Sequence, residues 1–137
     1  MRFVVDTNTL VSAALFPSSI PAKALNIVFN SGKLLFSAET KNELLKVLNR
    51  PKFNKYFNEG QKEYFFLSFI EVETLVSPNI KIMECRDFKD NMFLELALFS
   101  KADYIITGDQ DLLIMNPFKG IPILSSQDFI DNFTANK

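Results

Sequence analysis

The stretch Arg2-Phe3-Val4-Val5-Asp6-Thr7-Asn8 decides how the rest of the chain is read. A short apolar run that ends at a carboxylate reads as a buried strand with an acid at its C-terminal mouth. In open parallel sheets, ligands sit at that mouth. Taken alone, Asp6 reads better as a helix N-cap, because Thr7-Asn8 opens a helical stretch and Asp suits the capping position. A chemical role depends on what else reaches the same edge.

Outward from this strand, helix and strand signals alternate. That alternation predicts an α/β fold: a three-layer α/β/α sandwich around a central parallel sheet of about five strands. Strands are expected at residues 2–6, 33–36, 79–85, 104–107 and 121–124. Helices are expected at 9–15, from Pro21 to near Gly32, and at 37–49, 61–75, 87–101 and 126–133, with a short helical or irregular piece at 52–57. Pro21 suits the first helical position and Gly32 the end. Tyr64, Phe65, Phe66 and Phe69 form a stripe wider than one buried face needs. It reads mostly as core, with the apolar excess around Phe65, Phe66 and Phe69 a candidate contact surface. The last residues are expected to fray. No repeat or linker divides the chain, so residues 1–137 read as one domain.

Composition narrows the chemistry. An ordinary charged fraction of 23% beside 47% apolar residues describes a soluble globular protein. No apolar run reaches the roughly 18 residues of a membrane span, and an acid at position 6 argues against a secretion signal. The single Cys85 cannot form an internal disulfide, which fits a reducing cytoplasm, and it reads as a small buried residue. There is no histidine. That removes Ser-His-Asp and Cys-His nucleophilic schemes, His-ligated zinc and histidine general-base catalysis. Hydrolytic chemistry here must run on carboxylates, hydroxyls, lysines or metal ions.

The net charge of −1 is uninformative, but its distribution is not. Residues 41–62 carry Lys41, Lys46, Arg50, Lys52, Lys55 and Lys62 against Glu43 and Glu59, a local +4. Residues 84–111 carry seven acids against Arg86, Lys89 and Lys101, a local −4. A basic rim beside an acidic pocket suits a metal site that holds a polyanion. For the basic half, a solvated helix face is an equal reading.

The acids share one address. Asp6 follows the first strand, Asp109 and Asp111 follow the strand at 104–107, Asp90 lies in the first turn of the helix at 87–101, and Glu43 lies in the first half of the helix at 37–49. With right-handed crossovers all of them fall on the C-terminal edge of a parallel sheet. Carboxylates gathered there repel one another unless a cation neutralises them. Hard oxygen-ligated ions, Mg²⁺ or Mn²⁺, are the natural answer. Each acid also has a local explanation. Glu43 sits three after Thr40, as in a capping box, although Ser37 offers an earlier cap. Asp87 and Asp90 suit a helix start, and Asp109 suits a turn.

These segments, in order, resemble the PIN-domain ribonucleases, in particular the VapC-like toxin components of toxin–antitoxin pairs. The resemblance runs from Val4-Val5-Asp6-Thr7-Asn8, through Lys41-Asn42-Glu43-Leu44-Leu45 and residues 85–97 (CRDFKDNMFLELA), to residues 102–113 (ADYIITGDQDLL), and covers essentially the whole chain. It implies a catalytic quartet of Asp6, Glu43, Asp90 and Asp109, with Asp6, Asp90, Asp109 and the extra Asp111 as metal ligands. Asn8 and Thr107 match the polar residues around the family's site, and Asp87 is left as a cap. The implied reaction is Mg²⁺- or Mn²⁺-dependent hydrolysis of RNA phosphodiesters to a 5′-phosphate without a covalent intermediate. The implied partners are an RNA substrate, a small antitoxin protein and a second copy of the chain, with no membrane.

Two rivals are weighed against this reading. Aspartyl-phosphate chemistry of the haloacid-dehalogenase kind needs a second Asp two positions after the first, and that place holds Asn8. A non-catalytic interaction protein would use its acids only as caps and solvated charges.

Overall fold

The computed structural model describes residues 1–69 and 74–135. Its sheet has four strands among the described residues, all parallel, in the order β2-β1-β3-β4. These are β1 (Arg2–Val5), β2 (Lys33–Leu34), β3 (Tyr104–Ile106) and β4 (Ile123–Leu124). The helices are α1 (Thr7–Leu15), α2 (Ile20–Ser31), α3 (Ala38–Leu48), α4 (Glu59–Phe69), α5 (Asn91–Ser100), α6 (Gln110–Leu113) and α7 (Ser126–Ala135).

Alternation along the strands builds the three layers. Phe3, Val5 and Ile106 join a core with residues of α1, α2, α3 and α7. Val4, Ile105 and Ile123 point the other way, into a second core with Phe93, Leu94, Leu96 and Ala97 of α5 and Leu112 of α6. Because side chains alternate across a strand, a sheet covered on both faces needs apolar residues at consecutive positions, as Phe3-Val4-Val5 and Ile105-Ile106 supply. Gly32 closes α2 against the N-terminus, where any Cβ would collide with the Met1 carbonyl.

The chain leaves β1 toward β2 on one side and returns to β3 on the other, so the order reverses at β1. That switch point opens a crevice at the carboxyl ends of β1 and β3. Val5 pairs with Ile106, and the Asp6 amide donates to the Ile106 carbonyl at 3.1 Å. Residue 6 and residues 107–109 therefore emerge side by side.

The expected strand at 79–85 does not form. Two of its backbone donors are taken by side chains of α5 instead of a ladder. The Ile82 amide donates to Glu95 Oε2 at 3.0 Å, and the Cys85 amide to Asn91 Oδ1 at 3.0 Å. Ile82 is buried, so the apolar alternation was real but belongs to a strap. The helix expected at 61–75 begins earlier and is described to Phe69; residues 70–73 of that expectation lie outside the described residues, and Leu75 makes an isolated parallel bridge to Phe36. The helix expected at 87–101 starts with a 3-10 turn, Phe88–Asp90, before α5. Residues 136–137 of the expected frayed end are likewise outside the description.

The aromatic stripe divides. Phe69 is buried, and Phe65 and Phe66 are half-buried against the first core, whereas Tyr64 is exposed. Among the described residues, no single helix is long and apolar enough to cross a membrane.

Candidate metal centre

Asp6 caps α1 and stands at the mouth of β1, 5% exposed. Its Oδ1 accepts the Thr9 amide at 3.0 Å and its Oδ2 accepts the Thr107 hydroxyl at 2.5 Å. Thr107, fully buried, in turn accepts the Asp109 amide at 3.0 Å. A short relay thus ties the end of β1 to the end of β3. Burial pushes the Asp6 carboxyl above its ordinary range, against the pull of the Thr107 and Thr9 bonds, and the charge of Asp109 adds to the rise.

Asp109 caps α6, its Oδ1 accepting the Asp111 amide at 2.9 Å. Asp111 Oδ1 accepts the Arg86 Nε at 2.6 Å. Asp87 caps the 3-10 turn through the Lys89 amide at 3.1 Å, and its own carbonyl accepts the Asp90 amide at 3.0 Å. These local turns bring one carboxylate oxygen each from Asp87, Asp90, Asp109 and Asp111 within 4.8 Å of one another.

Asp90 is the member with the least local employment. It is buried, and its Oδ2 has no hydrogen-bond partner. Its carboxyl is pushed up to about 8, first by burial, then by a hydrogen bond with Asp109 and by the charges of Asp109, Asp87 and Asp6. An orphaned buried carboxylate oxygen among three further acids is the pattern that a hard cation resolves. The all-oxygen donor set fits Mg²⁺ or Mn²⁺ and offers nothing to a soft metal.

The other expected site residues divide around this centre. Asn8 is exposed and lines a cleft of about 480 Å³ with Asp6 and Asp109. Glu43 is half-buried on α3 and stands outside the four-acid group. It lines a neighbouring cleft of about 500 Å³ with Asn91 and Glu95, one residue from Asp90 along the chain. The capping box of α3 is made by Ser37 and Thr40, so Glu43 has no capping duty. Asp87, read from sequence as a cap, both caps and joins the acidic group. Its spacing of three from Asp90 at a helix start was the available signal, because a 3-10 turn aligns residues three apart.

With an acid cluster at the switch point of a parallel sheet, the fold and site define an α/β protein whose carboxylates converge at its strand mouths, in a group that could hold a metal ion. Residues 2–111 match the PIN domain family, and the chain belongs to that family. PIN domains are generally nucleases and typically use divalent metals. The chain is 36% identical over 116 residues to the uncharacterized protein MJ1680 of Methanocaldococcus jannaschii, covering 82% of this chain and 74% of that protein. Its fold is similar to PAE2754 from Pyrobaculum aerophilum, with a TM-score of 0.60, 16% identity and coverage of 98% and 90% of the two chains. It is also similar to VapBC2 from Rickettsia felis, solved bound to a DNA fragment from its promoter, with a TM-score of 0.55, 16% identity and coverage of 91% and 98%.

Proposed function

We propose that this chain is a Mg²⁺- or Mn²⁺-dependent endoribonuclease acting as the toxin of a toxin–antitoxin pair. The observation that carries the reading is the buried, unpartnered Asp90 Oδ2 within a group of four converging carboxylates. In this reading Asp6, Asp90, Asp109 and Asp111 hold the ion; the last three converge with Asp87, and Asp6 stands outside that four-acid group. The ion's contribution is to polarise the scissile phosphodiester and to lower the pKa of water. The chain's own groups do the positioning. Thr107 and the Thr9 amide fix both oxygens of Asp6, so that carboxylate cannot swing away from the crevice. Asn8 borders the cleft where the phosphate backbone enters. Glu43, in the cleft it shares with Asn91 and Glu95, would orient the attacking water or complete a second metal shell.

Belonging to the PIN domain family supports the nuclease class, and the likeness in fold to VapBC2 supports an antitoxin partner. One observation favours a non-catalytic reading: Asp6, Asp87 and Asp109 all serve as helix caps. Capping leaves Asp90 unexplained, since it makes no side-chain cap bond.

The test is cleavage of a labelled single-stranded RNA panel in Mn²⁺, Mg²⁺ or EDTA, comparing wild type with Asp6→Asn and Asp90→Asn. Circular dichroism checks that both variants fold. Metal-dependent cutting that vanishes in both folded variants is the expected result. Cutting that survives both substitutions sinks the assignment.

A further inference from the structure

Away from the acidic centre, a cleft of about 450 Å³ opens between Tyr56 and Tyr64. Tyr64 is 77% exposed and Tyr56 47%, two large rings held at the surface. The lining is braced from beneath. Phe57 and Phe65 stack with centroids 5.8 Å apart, and Phe65 meets the buried Phe69 edge-on at 4.4 Å. Asn58 and Gln61, also in the lining, fix one another: the Asn58 amide donates to Gln61 Oε1 at 2.9 Å and the Gln61 amide to Asn58 Oδ1 at 2.8 Å. Those bonds use the side-chain oxygens, so the NH₂ groups stay available as donors to a base edge.

The segment that leads into this cleft is basic, and the acids Glu59 and Glu63 follow it on α4. Residues 44–58 contain Lys46, Arg50, Lys52 and Lys55 and no acid. Arg50, Lys52 and Lys55 are exposed, and among the described residues no ion pair holds them. Lys55 Nζ lies 5.1 Å from the Tyr56 ring centroid, and Lys52 Nζ 5.1 Å from that of Phe53. Lys62 is different: it is buried, bonded to Asn54 at 2.6 Å and 3.8 Å from Glu59. Glu59 and Glu63 line a second cleft with Lys62 and Phe66, which meets the first at Gly60. Exposed aromatic faces beside unpaired cations are the means by which proteins hold single-stranded nucleic acid.

The cleft also has a physical link to the acidic centre. Tyr56 meets Phe16 edge-to-face at 6.5 Å, and Phe16 ends the helix whose N-cap is Asp6. Nine helical residues span about 14 Å, or roughly four stacked nucleotides at 3.4 Å each. We propose that the Tyr56–Tyr64 cleft receives a base of single-stranded RNA a few nucleotides from the scissile phosphate, with Arg50, Lys52 and Lys55 on the adjoining phosphates. The identity of the polyanion rests on the ribonuclease reading; the cleft and its charge do not.

The experiment is fluorescence anisotropy of a labelled oligouridine with the full-length chain in EDTA, where binding is read without cleavage. Tyr64→Ala and Tyr56→Ala should each weaken binding by roughly five- to a hundredfold, while Tyr64→Phe retains wild-type affinity. The Lys52→Ala/Lys55→Ala double variant should flatten the slope of log affinity against log salt by about 1.4. Tyrosine variants that fold and bind as wild type overturn the proposal, whether or not the chain cuts RNA. Tyrosine-dependent binding by a chain that never cuts RNA upholds this site and removes the nuclease reading instead. Unchanged RNA binding, with Tyr64→Ala dissociating a wild-type dimer, overturns the proposal and gives the surface to a second copy.

Discussion

Asp90 shows how one side chain can be costly to the fold and useful to the site. Its carboxyl titrates near 8 because burial and neighbouring acids penalise its charge. An acid whose folded pKa lies above its unfolded value favours folding when protonated. That contribution is complete below about 3.8 and is lost as pH rises to about 8. Asp90→Asn mimics the protonated form and escapes this loss. In EDTA the variant should therefore gain on wild type between pH 4 and 8, by on the order of a few kcal/mol, and hold a constant lead above pH 8. Thermal unfolding at pH 5, 7 and 9 checks it; a gap that does not widen with pH means that Asp90 is already ionised and compensated. The same chemistry bears on the ion. Metal ligands must be deprotonated, so divalent-cation affinity should rise with pH up to about 8, and binding should release a proton. Calorimetry in two buffers of different ionisation enthalpy reads that proton directly, and identical apparent enthalpies would contradict it.

At the scale of elements, strand β1 with its terminal Asp6, strand β3 ending at Thr107, and helices α2, α3 and α7 were legible in the sequence. Each has a local signal: an apolar run closed by a polar residue, or a cap followed by helical spacing. The segment 79–85 was misread for a physical reason. Alternating Ile80 and Ile82 predicts a strand, but pairing needs a neighbour with spare backbone groups, and here Glu95 and Asn91 satisfy the Ile82 and Cys85 amides instead. Side chains 13 and 6 residues downstream cannot be foreseen from periodicity. The same contacts give a prediction. Glu95→Ala leaves the Ile82 amide buried and unsatisfied, which should cost about 1–3 kcal/mol. Glu95→Gln keeps an acceptor oxygen and should cost less. Chemical denaturation measures both, and limited proteolysis should cut the strap faster in the alanine variant. Equal stability of all three proteins would show that the strap is held by Ile82 burial alone.

At the scale of the whole molecule, the acidic centre is stitched from distant parts of the chain. Asp6 and the Thr107–Asp111 turn lie about a hundred residues apart and meet only because β1 and β3 pair at the reversal of strand order. The alternation of elements predicted that convergence, and the four-strand sheet retains it with one strand fewer than expected. Such a site exists only in the native state, so a cation that occupies it stabilises the fold by mass action. At a hundred times its dissociation constant that amounts to about 2.7 kcal/mol. At about 3–4 °C per kcal/mol for a chain of this size, Mn²⁺ should raise the melting temperature by about 10 °C. EDTA should reverse the rise. Asp90→Asn should abolish it, because that substitution removes the unpartnered oxygen without unfolding the turn that carries it. Differential scanning calorimetry across a Mn²⁺ titration makes the comparison. A rise of equal size in wild type and Asp90→Asn would place the ion elsewhere on the surface and would take the converging acids at the strand mouths out of metal binding.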